Sequence, residues 1–372
     1  MEKIFQSVRL GPFDLKNRIV MAALTRARAL EDGTPTDLMT EYYRQRAESA
    51  GLIVSESVSL EMKTNGVIGT PGVETEEHAH AWKKITEAVH DQKSFIFAQL
   101  NYHGRSLHSK QHGTYPLAPS PIKIEGTTTV RGEKVPFEVP KEMTQEDIDS
   151  VHQLFVNGAK MAKLGGFDGV EIQAANGYLV DQFLKTSCNQ RKDKYGGSVE
   201  NRSRFLLELI DKLSEVFPMN QIGVKLSPVN RLRDMYDEDP ISLCKYLLSE
   251  FEKREISYVM FRESETFTEK EKPANAGELQ MPNVSKICRA MYKGTLIANG
   301  FLSGEEGIRI IRDGEADLVA FGRLFIANPD LTERLKNNWP LAKPDPSKNH
   351  RAPDGDPAKG YTDFPKYQAK PE

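Results

Sequence analysis

The chain has 372 residues, with 50 basic and 53 acidic side chains giving a formal charge of −3. That balance leaves no electrostatic footprint for nucleic acid or an anionic membrane. No apolar run reaches bilayer-spanning length, and the start, Met1-Glu-Lys-Ile-Phe, lacks a signal-peptide pattern. The three cysteines, Cys188, Cys244 and Cys288, are too few and too widely spaced for a disulfide framework or a Cys-x-x-Cys metal or redox motif. A reducing, cytoplasmic setting is expected.

In chain order, eight short β-rich runs are expected as strands: 18–23, 52–56, 95–100, 169–172, 222–226, 258–261, 296–298 and 318–321. Several are nearly continuous in apolar residues, as strands buried on both faces should be. Amphipathic stretches between them, at 38–50, 77–90, 145–164, 200–216 and 243–253, are expected as helices. Ser303 with Glu306 spells a capping box, Asn328-Pro329 a cap before a first-turn proline, and Gly314 a left-handed helix end. Strands alternating with helices predict an α/β fold, and the count of eight strands favours a (β/α)8 TIM barrel spanning residues 1–372 as one domain. No Gly-x-Gly-x-x-Gly follows the first strand, which argues against a dinucleotide-binding open sheet.

Residues 103–143 interrupt the pattern after strand three. The alternation in Thr127-Thr-Thr-Val-Arg-Gly-Glu-Lys-Val135 predicts a hairpin turning at Arg131-Gly132, in an insertion placed to act as a lid. Residues 341–372, rich in Pro, Lys and Asp, are expected to lie extended, and the Glu269-Lys-Glu-Lys272 run to be solvated loop. His103, His108 and His112 crowd into one loop, but their spacing matches no metal-ligand motif, so no metal is expected. His78 and His80 are expected on an exposed helix face.

The fourth strand runs from Gly169 to Ile172 straight into Gln173, Asn176 and Tyr178. Strand ends that gather polar side chains mark the open face of a barrel enzyme. This segment, with Tyr195-Gly-Gly-Ser-Val-Glu-Asn-Arg-Ser-Arg-Phe205, resembles the old yellow enzyme family of flavin-dependent ene-reductases. The resemblance extends over nearly the whole chain, through Arg18-Ile-Val-Met-Ala-Ala-Leu-Thr-Arg26, Gln99-Leu-Asn-Tyr-His-Gly-Arg105, Ile222-Gly-Val-Lys-Leu-Ser-Pro228 and Phe321-Gly-Arg323 followed by Asn328-Pro-Asp-Leu331.

The resemblance implies FMN as cofactor, NADPH or NADH as reductant, and a small-molecule enone, quinone or nitro compound as substrate, in a monomer or homodimer. It implies that the Ala23 backbone and Thr25 touch the flavin edge and that Gln99 meets the pyrimidine ring. Lys225 stands where the family usually has Arg beside flavin N1, keeping the charge but losing bidentate geometry. Gly300, Gly322 and Arg323 are implied as the phosphate site, the usual location in such barrels. Tyr178 is implied as the proton donor.

Gln173 and Asn176 stand where the family has His and then His or Asn, the pair that holds the substrate oxygen. Neither amide can become cationic. Asn101 and Asp354 replace family aromatics, which implies a reshaped pocket. Glu56 and Glu171 fit the family pattern as strand residues rather than a glycosidase pair. Two further readings remain open: a flavin-binding protein with altered or lost ene-reductase activity, and a flavin-free phosphate-binding barrel lyase.

Overall fold

In the computed structural model, which describes residues 2–263, 283–343 and 355–368, the eight expected strands form a closed parallel barrel. They are β1 (Ile19–Met21), β2 (Leu52–Ser59), β3 (Phe95–Asn101), β4 (Gly169–Ala174), β5 (Ile222–Leu226), β6 (Tyr258–Arg262), β7 (Leu296–Asn299) and β8 (Leu318–Phe321). Each pairs with the next, and β8 closes onto β1. Strands β5 and β8 coincide with the expected runs; β2 continues to Ser59 across a register shift between Val54 and Ser57.

Around the barrel lie α1 (Asp37–Ala47), α2 (Glu76–His90), α3 (Gln145–Leu164), α4 (Val199–Leu213), α5 (Pro240–Arg254), α6 (Val284–Arg289) and α7 (Gly304–Arg312). Their starts are chemically marked. Thr36, Thr75, Ser198 and Asp239 each accept a hydrogen bond from a first-turn N–H, and α3 and α7 begin with complete capping boxes at Thr144 and Ser303. Gly314 ends α7 with φ +72°, as expected.

Asn328 is a correction. It closes the short helix Arg323–Ala327 instead of capping the next one, its amide donating to the carbonyls of Leu324 and Ala342. His78 is a second. It is buried, with Nε2 3.0 Å from the Asp32 carbonyl and Nδ1 accepting from the Glu74 N–H, while His80 is exposed.

Strand alternation sorts the core into two parts. Outward residues such as Val170, Ile172 and Val224 join the layer under the helices, while Val20, Leu52, Val54, Phe97, Tyr258, Met260, Ile297 and Leu318 fill the barrel. The hairpin Val8–Leu10/Phe13–Leu15 adds Leu10 and Leu15 to that interior cluster, with the Phe13 ring tilted against Phe95, centroids 4.7 Å apart. Gly223 is needed here, because a Cβ at that position would lie 2.3 Å from the Tyr258 ring. The inward positions nearer the strand ends are polar, and they form the site described below.

The 103–143 insertion contains the expected hairpin, Thr127–Val130 paired with Glu133–Pro136, turning at Arg131 and Gly132 with φ +48° and +92°. Of the C-terminal stretch, Asp354 lies outside the described residues, as do Glu269–Lys272. The described part, 355–368, folds back onto the barrel instead of trailing away. Tyr361 is fully buried, stacked 4.1 Å from Tyr42.

Fully buried Arg46 clamps this end. Its guanidinium lies over the Tyr42 ring and donates to the carbonyls of Phe325, Ile326 and Tyr361. Arg46→Ala strands three buried acceptors, so stability should fall by about 3 kcal/mol or more. The check is a lower urea midpoint at unchanged denaturant slope.

Candidate active site

Alternation along β4 places Glu171 and Gln173 inside the barrel, and along β5 it does the same for Lys225. Gln173 pairs in register with Lys225, and Glu171 with Gln99 on β3. The result is a buried polar stack. Tyr258 Oη donates to Glu171 (2.9 Å), Gln99 Nε2 donates to Glu171 (2.6 Å), and Gln173 Nε2 donates to Gln99 Oε1 (3.3 Å). Burial pushes the Glu171 carboxyl up and the Lys225 ammonium down, and each charge opposes the other's shift.

Above the stack, a cavity of about 460 Å³ opens at the C-terminal strand ends. It gathers the ten residues expected to be catalytic or flavin-binding: Ala23, Thr25, Gln99, Gln173, Asn176, Tyr178, Lys225, Gly300, Gly322 and Arg323. It also takes in residues that sequence reasoning missed, notably Arg233, Arg262 and Phe301. Arg262 ends an otherwise apolar strand, the same signal that singled out Lys225. Arg233 sits in a loop with no spacing cue.

The loop after β4 is fixed from several sides. Asn176 and Gly177 take left-handed conformations, φ +61° and +78°. The Asn176 N–H donates to Ser227 Oγ and the Gly177 N–H to buried Asp181. Gln182 donates to the carbonyls of Gly177 and His103, tying this loop to the insertion after β3. Tyr178 is then held between an edge-on His103 ring at 5.2 Å and the Arg233 guanidinium at 4.5 Å. Burial, and secondarily Arg233, pushes His103 down to about 4, so it is neutral at physiological pH.

Some expected residues play no part in lining the cavity. Asn101 is buried at the end of β3 with Oδ1 lacking a hydrogen bond among the described residues, and it does not form the wall. His108 and His112 remain in the insertion, His108 3.6 Å from Glu138. Among the described residues no cluster of three or more His, Cys, Asp or Glu converges as metal ligands. Glu56 accepts the N–H groups of Arg26 and Ala27, bracing the loop after β1, and burial pushes it up to about 7.

The chain matches the NADH:flavin oxidoreductase / NADH oxidase family over residues 3–342. It belongs to that family. A "Probable flavin mononucleotide-dependent alkene reductase" of Leishmania infantum is 36% identical over 372 residues, 98% of each chain. An old yellow enzyme homologue from Zymomonas mobilis superposes with TM-score 0.89 at 36% identity, covering 98% of this chain and 100% of that one. Morphinone reductase in complex with tetrahydroNAD gives 0.88 at 36% identity, covering 99% and 98%.

The donor set of this flavin oxidoreductase fits a flavin. Lys225 is buried, faces the cavity and has no hydrogen bond among the described residues, so an anionic ring edge would complete its coordination. Gln173 Oε1 is likewise buried and unbonded. At the opposite side Arg323 lies 4.6 Å over the Phe301 ring, with no ion pair to a described carboxylate. Gly300 lines the cavity with φ +140°, a conformation that residues with side chains rarely adopt. Arg323→Ala removes a charge-assisted contact of about 1.5–3 kcal/mol, so FMN affinity should fall about ten-fold or more. Flavin content after dialysis measures it; undiminished retention would place the phosphate elsewhere.

Proposed function

We infer that this flavin oxidoreductase is an FMN-dependent ene-reductase, taking reducing equivalents from NADH or NADPH and reducing activated alkenes such as enones, with quinones and nitro compounds as further acceptors. The observation that carries this reading is the convergence of Tyr178, Asn176 and Gln173 on the same cavity as Lys225 and Arg323. Bound FMN supplies the hydride for the alkene β-carbon.

The chain's own residues do the rest. Lys225 offsets the negative charge of the reduced ring. Thr25, the Ala23 backbone and Gln99 set the ring's position, while Gly300, Gly322 and Arg323 hold its phosphate. Asn176 and Gln173 orient the substrate's electron-withdrawing group, and Tyr178 Oη gives a proton to the α-carbon. Residues 103–143 cover the site as a lid, a role supported by the bonds of buried Arg105 to the carbonyls of Ile122 in the insertion and Arg233 beside the cavity. Three free buried cysteines fit a reducing, cytoplasmic setting.

Tyr178→Phe tests the proton step. Flavin reduction by NAD(P)H should stay nearly intact, while oxidation by an enone slows about 10²–10⁴-fold, the usual size of a general-acid contribution. Oxidation by a quinone should suffer less, since no carbon is protonated. Equal slowing of both half-reactions would leave Tyr178 only a positional role.

One observation favours the second reading, a flavin-binding protein with altered or lost ene-reductase turnover. The Gln173 amide already spends an N–H on Gln99. A neutral amide also stabilises enolate-like charge less than a group able to carry a positive charge, a difference of about ten- to thirty-fold in rate. Gln173→His should therefore bind p-hydroxybenzaldehyde more tightly, strengthen its charge-transfer band and reduce enones faster at equal FMN content. A variant that gains neither property favours the non-catalytic reading.

A further inference from the structure

Four of the side chains lining the cavity are cationic, Lys225, Arg233, Arg262 and Arg323, and none of its described lining residues is a carboxylate. Reduced FMN brings about three negative charges, a phosphate dianion and an anionic ring. Arg323 and Arg262 both lie against Phe301, 4.6 and 5.2 Å from its centroid, on the side of Gly300 and Gly322. Lys225 sits in register with Gln173 at the barrel centre. Arg262 also reaches across to Asn176 Oδ1 (3.2 Å), but among the four only Arg233 is hydrogen-bonded to Tyr178 as well. Its guanidinium donates to the Asn176 carbonyl (2.6 Å) and to Tyr178 Oη (3.3 Å).

The position is built. Arg233 and Asp234 are consecutive non-glycine residues in left-handed conformation, φ +61° and +57°. Strain of this kind persists only where surrounding contacts hold it. Here buried Arg105 donates to the Arg233 carbonyl (2.8 Å), and Asp234 turns its carboxylate away from the cavity to accept the Glu125 N–H (2.7 Å). Gly177 lets the two loops meet, since a Cβ there would lie 3.0 Å from the Arg233 Cβ. The backbone thus delivers one positive charge beside the proton donor and turns the neighbouring negative charge outward.

We propose that Arg233 makes this enzyme selective for anionic alkenes, activated alkenes that carry a carboxylate within reach of Tyr178 and Asn176. The inference rests on the ene-reductase reading above. A phosphate of the nicotinamide reductant could also meet an arginine. However, those phosphates lie a ribose away from the reacting ring, whereas Arg233 touches the residue that faces the reacting carbon.

The test uses the FMN-loaded enzyme and a matched pair, 3-oxocyclohex-1-ene-1-carboxylate and its methyl ester, with wild type, Arg233→Gln and Arg233→Lys. Arg233→Gln should lower kcat/KM for the carboxylate about ten- to a hundredfold more than for the ester, while Arg233→Lys recovers part of that difference. An unchanged carboxylate-to-ester ratio in Arg233→Gln overturns the proposal. So does a larger effect on flavin reduction by NADPH or NADH than on the carboxylate, which would assign Arg233 to the reductant. Binding gives a readout independent of turnover. Benzoate should perturb the flavin absorbance at lower concentration than benzamide, and Arg233→Gln should abolish that preference. If neither alkene is turned over but the benzoate preference follows Arg233, the anion site stands and the ene-reductase reading falls. If the alkenes are turned over without charge preference, the reverse holds.

Discussion

A single buried carboxylate organises the centre of this barrel. Glu171 has no solvent exposure and accepts hydrogen bonds from Tyr258 below and Gln99 beside it, with the Lys225 ammonium as its nearest electrostatic counterweight. A charge in that position persists only when its partners are satisfied. The satisfaction runs in one direction. An ionised Glu171 can only accept, so Gln99 must turn its N–H downward and its carbonyl toward Gln173. Gln173 then has to donate to Gln99. The orientation of the amide at the reaction face is thus fixed two residues away, by a group that never touches a ligand.

The barrel makes this relay possible because inward positions on adjacent strands meet in register. Glu171 lies level with Gln99, and Gln173 level with Lys225. Below them the interior is apolar and closed by Phe97 and Tyr258, whose rings lie 5.7 Å apart. The transition from apolar floor to polar rim within one strand, Gly169 to Ala174, separates stability from chemistry in the fold.

This is also why so much was legible beforehand. Eight apolar runs with helical stretches between them specify a barrel, and polar residues ending such runs specify which face carries the site. The ten residues expected to be catalytic or flavin-binding all line the same cavity. The expectations that missed concern side chains whose surroundings are set by distant chain. His78 is buried because Asp32, 46 residues away, comes back to meet it. Asn328 bonds Ala342 instead of capping the next helix. Arg233 was invisible for the same reason: its approach to Tyr178 depends on Gly177, Arg105 and a pair of left-handed residues, none of which forms a sequence pattern.

The replacement at Gln173 reads differently once the charges are placed. A histidine at that point can carry a positive charge on the barrel axis, directly above Glu171 and beside Lys225. Here the axis keeps one cation and one carboxylate, and the additional positive charge lies at the rim, on Arg233 and Arg262, both hydrogen-bonded to Asn176. Through them Asn176 accepts at its backbone carbonyl and at Oδ1, which leaves its amide N–H groups for the ligand. A cation at the rim attracts a negatively charged substituent from a different direction than a cation on the axis would. On the proposed reading it acts from the side of Asn176 and Tyr178, where an ionised substituent on the alkene would sit, rather than from the position of Gln173.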